Sequence, residues 1–238
     1  MKSLIAKLIW VGLFSVAMGF LESAVVIYLR EIYYPGGFDF PLKLTADTIA
    51  LTEFIREAAT MLMLFSIAFI AAKRSIERFA FFIFAFAIWD IFYYVFLYLV
   101  TGWPQSLFTW DILFLIPLLW TGPVIAPVIN SFTMIALAMV ILYFSSRNEL
   151  LRLKFIELFF ILAGSFLTIF AYSENYIQYI TLRYPFIELF RIHHSEDAMK
   201  YWSQFIPVRF NWIMFLFGEV LFMVSLVSIL KRTITRKP

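Results

Sequence analysis

Six stretches of this chain, at about 4–29, 47–72, 77–100, 123–145, 153–172 and 210–231, are apolar over roughly 20 residues each, the length an α-helix needs to cross about 30 Å of hydrocarbon. A backbone in lipid must satisfy its own N–H and C=O groups, so such runs fold as helices packed side by side. With 63% hydrophobic and only 15% charged residues, the 238-residue chain lacks the polar surface of a soluble domain. The expected fold is all-α: a polytopic integral membrane protein with six transmembrane helices in one domain covering 1–238.

Charge orients the runs. Lys2 and Lys7 lie at the start of the first; Lys73, Arg74 and Arg78 at the junction of the second and third; Arg147, Arg152 and Lys154 at the junction of the fourth and fifth; Lys231, Arg232, Arg236 and Lys237 at the end of the sixth. The alternate boundaries, 30–46 and 173–209, are acidic and aromatic. The positive-inside bias then predicts a multi-pass protein of the cell (cytoplasmic) membrane with both termini cytoplasmic. The first run is long and lacks a small-x-small cleavage site, so it reads as a span and not as a signal peptide. The basic clusters are short and confined to span edges, which implies no nucleic-acid surface. The partner that composition demands is the lipid bilayer, and a homo-oligomer is compatible with it.

Two connections carry more than turns. The segment of about 104–122, with Pro117 inside it and Pro123 after it, is too short for another span and too broken for a long helix; it is predicted to be a re-entrant or interfacial helix on the outer side. Residues 173–209 alternate apolar and charged positions at roughly helical spacing, predicting an outer amphipathic loop that can serve as a lid or dock a protein partner. The strings Trp89-Asp90-Ile91 and Trp110-Asp111-Ile112 echo each other but are too brief to define a repeat. The second fits a membrane-interface Trp beside a chance Asp.

Five carboxylates and one arginine fall within the outer halves of the predicted spans, away from their ends: Glu22, Glu53, Glu57, Asp90 and Glu219 against Arg56. A charge at the middle of a membrane helix costs on the order of 3 kcal/mol, and such residues are retained mostly where they bind, relay or pair. All six are expected in one layer of the outer half. Glu53, Arg56, Glu57 and Thr60 share a helical stripe at i, i+3, i+4, i+7, and Asp90, Tyr93 and Tyr94 share another. Asn130, Ser131, Thr133, Ser165, Thr168, Tyr172 and Asn211 add polar groups from the later spans, while the inner halves stay apolar. Glu157, near the inner end of the fifth run, is placed to snorkel to water.

The surplus acids need protons or a bound cation. Glu53, Arg56, Glu57, Asp90, Glu219 and Glu22 are therefore the candidate ligand- or proton-binding residues, while no catalytic residue can be named. A divalent metal is a candidate cofactor if the outer loop folds down, with Glu53, Glu57, Asp90, His193 and His194 as its ligands; oxygen ligands with an imidazole suit Mn, Fe, Zn or Ca. His193 and His194 lie in the outer loop, so a bis-histidine haem between membrane helices is excluded. There is no Cys, and the HExxH, GxSxG, P-loop and GxGxxG signatures are absent. Three functions fit: an outward-facing carboxylate-rich cavity that binds or transports a cation, proton or small solute; a membrane-embedded enzyme acting on a lipid, quinone or lipid-linked substrate, with or without a metal; or a noncatalytic subunit or assembly factor of a membrane complex.

Overall fold

The computed structural model describes residues 2–43, 47–116, 118–147, 152–187 and 196–235. Six helices are long and apolar enough to cross a membrane: α1 (Lys2–Tyr33), α2 (Asp47–Ala71), α3 (Ser75–Thr101), α4 (Ile125–Arg147), α5 (Phe155–Thr181) and α7 (Trp212–Thr235). A short helix, α6 (Glu196–Trp202), and two strands, β1 (Trp110–Phe114) and β2 (Trp120–Pro123), lie in the connections. The architecture is that of an all-α polytopic membrane protein. Many large apolar side chains on these helices, such as Trp10, Leu62, Ile70, Phe155, Phe166 and Ile213, are exposed, as lipid-facing positions require.

Small residues decide which helices approach closely. On α1, Ser15, Gly19 and Ser23 recur every four residues and are buried, so one face is nearly flat. A Cβ on Gly19 would stand 2.9 Å from the Trp89 carbonyl oxygen, which shows how tightly α1 seats on α3. The Ser23 hydroxyl adds a hydrogen bond of 2.9 Å to the Tyr93 carbonyl. Between α5 and α7, a Cβ on Gly164 would lie 2.9 Å from the Gly218 carbonyl, and one on Gly218 would lie 2.9 Å from Thr168 Cγ2. At the end carrying both termini, the same two helices are pinned by the Arg232–Glu157 ion pair, 2.8 Å long with the Glu157 side chain fully buried. Glu157 does not snorkel: it accepts from the Arg232 guanidinium, the Ser228 hydroxyl and the Lys154 backbone N–H, which hold it inside the bundle.

The segment expected as a re-entrant helix is instead an antiparallel hairpin. Trp110 pairs with Pro123, Asp111 with Gly122, Ile112 with Thr121 and Phe114 with Trp120, with an irregularity between Ile112 and Phe114. Pro123 ends its strand, where no ladder N–H is needed, and aromatic and β-branched residues favour the extended form. Gly122 lets the hairpin pack closely, since a Cβ there would meet the Phe210, Leu113 and Tyr172 side chains at 3.2–3.3 Å. Backbone bonds from Val124 to Thr109 and from Ile125 to Leu107 carry the hairpin directly into α4.

Helix α5 runs to Thr181, nine residues beyond the predicted run. Tyr176 and Ile180 on this extension pack against Leu119 of the hairpin region and Phe205, and Tyr179 stacks on Tyr201 of α6 at 4.6 Å. Among its described residues, the 173–209 segment therefore holds the end of α5 and the short helix α6. The terminal-end half of the bundle is filled by an apolar core including Val11, Leu64, Ala68, Phe81, Ile141 and Ile229.

Candidate functional site

At the hairpin end, α2 packs mainly on α3 and touches α1 much less, which leaves a cavity of about 300 Å³ walled by α1, α2, α3 and β1. Its lining includes five carboxylates, Glu22, Glu53, Glu57, Asp90 and Asp111, and three cationic side chains, Arg30, Lys43 and Arg56. At 1.5 Å per residue, Glu53, Glu57, Asp90 and Glu22 lie about 9–17 Å along their helices from the hairpin-end termini, so the charges are set well below that end.

Arg56 is the centre of one cluster. Its guanidinium donates to both oxygens of Glu53, one turn earlier on α2, and through Nη1 to Glu22 of α1 at 2.5 Å. These three side chains are 11–20% exposed. One arginine thus faces two acids, and it supplies the principal polar link between α1 and α2.

A second ion pair, which sequence reasoning missed, joins Arg30 of α1 to Asp111 of β1 at 2.9 Å. Asp111 is 1% exposed and also accepts from the Tyr93 hydroxyl at 3.3 Å. The Arg30 guanidinium lies 3.8 Å from the Trp103 ring centroid and 4.5 Å from that of Phe38, two cation–π contacts in the corner made by these perpendicular rings. Burial pushes the Asp111 carboxyl above its ordinary range, and the Arg30 charge opposes that shift. The echo of Trp-Asp-Ile was the available signal: both of its aspartates line this cavity.

Glu57 and Asp90 differ from the others in having only neutral neighbours as donors. Glu57, 7% exposed, accepts the Leu115 backbone N–H at 2.9 Å and so anchors the tip of the hairpin to α2. Asp90 accepts the Ser131 hydroxyl of α4 at 2.8 Å.

Glu219 is not part of this cavity. It accepts the Thr133 hydroxyl at 2.6 Å between α7 and α4, and its second oxygen is buried with no hydrogen-bond partner among the described residues. At about 10 Å from the start of α7, Glu219 shares the depth of the other groups but is set apart sideways, because α4 and its Ser131 and Thr133 rungs stand between Asp90 and Glu219. Ser165 and Thr168 turn their hydroxyls back to α5 carbonyls, and Tyr172 packs on Trp120 and Phe210. Asn211 donates to Glu174 at 2.6 Å near the start of α7.

Among the described residues, no three His, Asp or Glu side chains come together closely enough to hold a metal ion, so Glu53, Glu57 and Asp90 do not form a ligand set. Their separation results from the fold: Glu53 is held by Arg56, Glu57 by the hairpin and Asp90 by α4. His193 and His194 lie outside the described residues. A scan of protein-family profiles, a search of curated proteins and a search of solved structures find no match to this chain.

Proposed function

We propose that this multi-pass protein binds a cation in the cavity between α1, α2, α3 and the hairpin, with Glu57 and Asp90 as the groups that meet it. The observation that carries the reading is the sorting of the acids: Glu22, Glu53 and Asp111 each have an arginine, whereas Glu57 and Asp90 have only a backbone N–H and a hydroxyl. A carboxylate in a low-dielectric cleft is costly unless a positive charge or a proton offsets it. The apolar core filling the terminal-end half makes the cavity blind at that end, which supports binding over free passage. In this reading the hairpin end faces outward and both termini are cytoplasmic, as the basic boundaries favour.

The test is thermal unfolding of the purified protein across a panel of monovalent and divalent, inorganic and organic cations. A ligand present at 100 times its Kd stabilises the folded state by about 2.7 kcal/mol. That gain should be lost in Glu57→Gln and Asp90→Asn, which preserve shape and remove charge. Absence of stabilisation by any cation, or equal stabilisation of the variants, rejects the reading.

A further inference from the structure

Glu57 and Asp90 each commit one oxygen to a fixed protein donor, and the second oxygen of each has no hydrogen-bond partner among the described residues. Two carboxylate oxygens on different walls are a poor match for Ca²⁺ or Mg²⁺, which gather about six or more oxygens. They suit N–H donors, which need only one good acceptor apiece. The α3 wall between them is aromatic: Trp89, Tyr93 and Tyr94 all line the cavity and are 6–8% exposed. The Trp89 indole N–H is buried and has no acceptor among the described residues, leaving a donor at the cavity wall. A volume of about 300 Å³ is at the lower bound of small-molecule pockets, ample for an aryl or short alkyl group and its charged head. The neighbouring Arg30, in contact with Trp103, Phe38 and Asp111, shows that this end of the protein already holds a cation against aromatic rings and a carboxylate.

We propose that the cavity selects an organic ammonium ion with an apolar body over a metal cation, the ammonium donating to Glu57 or Asp90 and the body lying against Trp89, Tyr93 and Tyr94. This deepens the cation-binding reading and rests on it. Quaternary and primary ammonium groups both gain from aromatic faces, but only a protonated amine also donates to the carboxylates.

Isothermal titration of the full-length protein in detergent micelles tests the proposal, with phenethylammonium, 2-phenylethanol, sodium chloride and calcium chloride as separate arms. Phenethylammonium should bind saturably at one site, at least tenfold more tightly than sodium or calcium. The uncharged 2-phenylethanol should show only non-saturable partition into detergent. Glu57→Gln or Asp90→Asn should weaken phenethylammonium binding tenfold or more, and Trp89→Phe should weaken it several-fold. Calcium or sodium binding as tightly as phenethylammonium, with loss in the Gln and Asn variants, overturns the ammonium inference while leaving the cation site intact. Saturable binding of 2-phenylethanol with equal affinity overturns it too, by making the site simply apolar. No binding in any cation arm overturns the ammonium inference, and the wider cation panel then decides the reading beneath it. The four wild-type arms decide the matter even where a variant fails to fold.

Discussion

Arg56 carries more of the local balance than any other side chain at the site. It is shared by Glu22 and Glu53, so its removal leaves two partly buried carboxylates without a counter-charge. Arg56→Gln should lower stability by about 3 kcal/mol, read as a fall in the thermal midpoint in detergent; Arg56→Lys should recover only part of it, because one ammonium cannot reproduce the two-oxygen grip on Glu53 together with the bond to Glu22. Asp111 gives a prediction with a definite sign. Its carboxyl is raised by burial, so the folded state binds its proton more tightly than the unfolded chain does. The stability this contributes is fully present below the ordinary carboxyl value of about 4 and is lost as pH rises through the elevated folded value. Arg30, Tyr93, Tyr94 and Asp90 are the charged and titratable groups facing it. Arg30→Gln removes the opposing charge and should steepen the fall in thermal midpoint as pH rises above the ordinary carboxyl value, whereas Asp111→Asn should flatten it.

At the scale of elements, the glycine contacts make the sharpest prediction. Gly164→Ala places a methyl group 2.9 Å from the Gly218 carbonyl, a backbone atom that moves only if α7 moves. A cost of about 1–3 kcal/mol is expected, measured by thermal unfolding. Gly36→Ala, with nothing within 4 Å of the new Cβ, is the matched control. The elements also show how much the sequence reveals. The six spans are legible because twenty apolar residues in lipid have one solution. Their ends are less so: the extra turns of α5 exist because Tyr176, Tyr179 and Ile180 find Phe205, Tyr201 and Leu119, contacts that hydropathy does not register. Trp-Asp-Ile is helical at 89–91 and extended at 110–112, so three identical residues take opposite conformations according to their C-terminal neighbours. After Ile91 the apolar helix continues, while after Ile112 prolines and a close-packed Gly122 favour a hairpin. The carboxylates of the site are visible as misplaced charges. Their partners are not, because Arg30 sits at a span edge, where a basic residue is unremarked, and Asp111 sits in a segment whose hydropathy suggests an interfacial helix.

For the whole molecule, the proposed orientation has a direct check that the lack of native cysteine makes clean. Ser3→Cys and Asp39→Cys each put one thiol at an exposed position, near the two opposite ends of α1. An impermeant maleimide should label position 39 in intact cells and position 3 only after the membrane is opened; the reverse pattern inverts the molecule. The polar groups are concentrated toward the hairpin end and the terminal-end half is packed with apolar side chains, so water and solutes are expected to reach the interior from one side. The union of α5 and α7 through two opposed glycines and a sealed ion pair has a mechanical corollary. Those two helices are expected to move as one strut, and α1 is seated on α3 through Gly19 and the Ser23–Tyr93 bond, so any widening of the chamber is expected to come from α2, the helix that touches α1 least, leaning into the surrounding lipid.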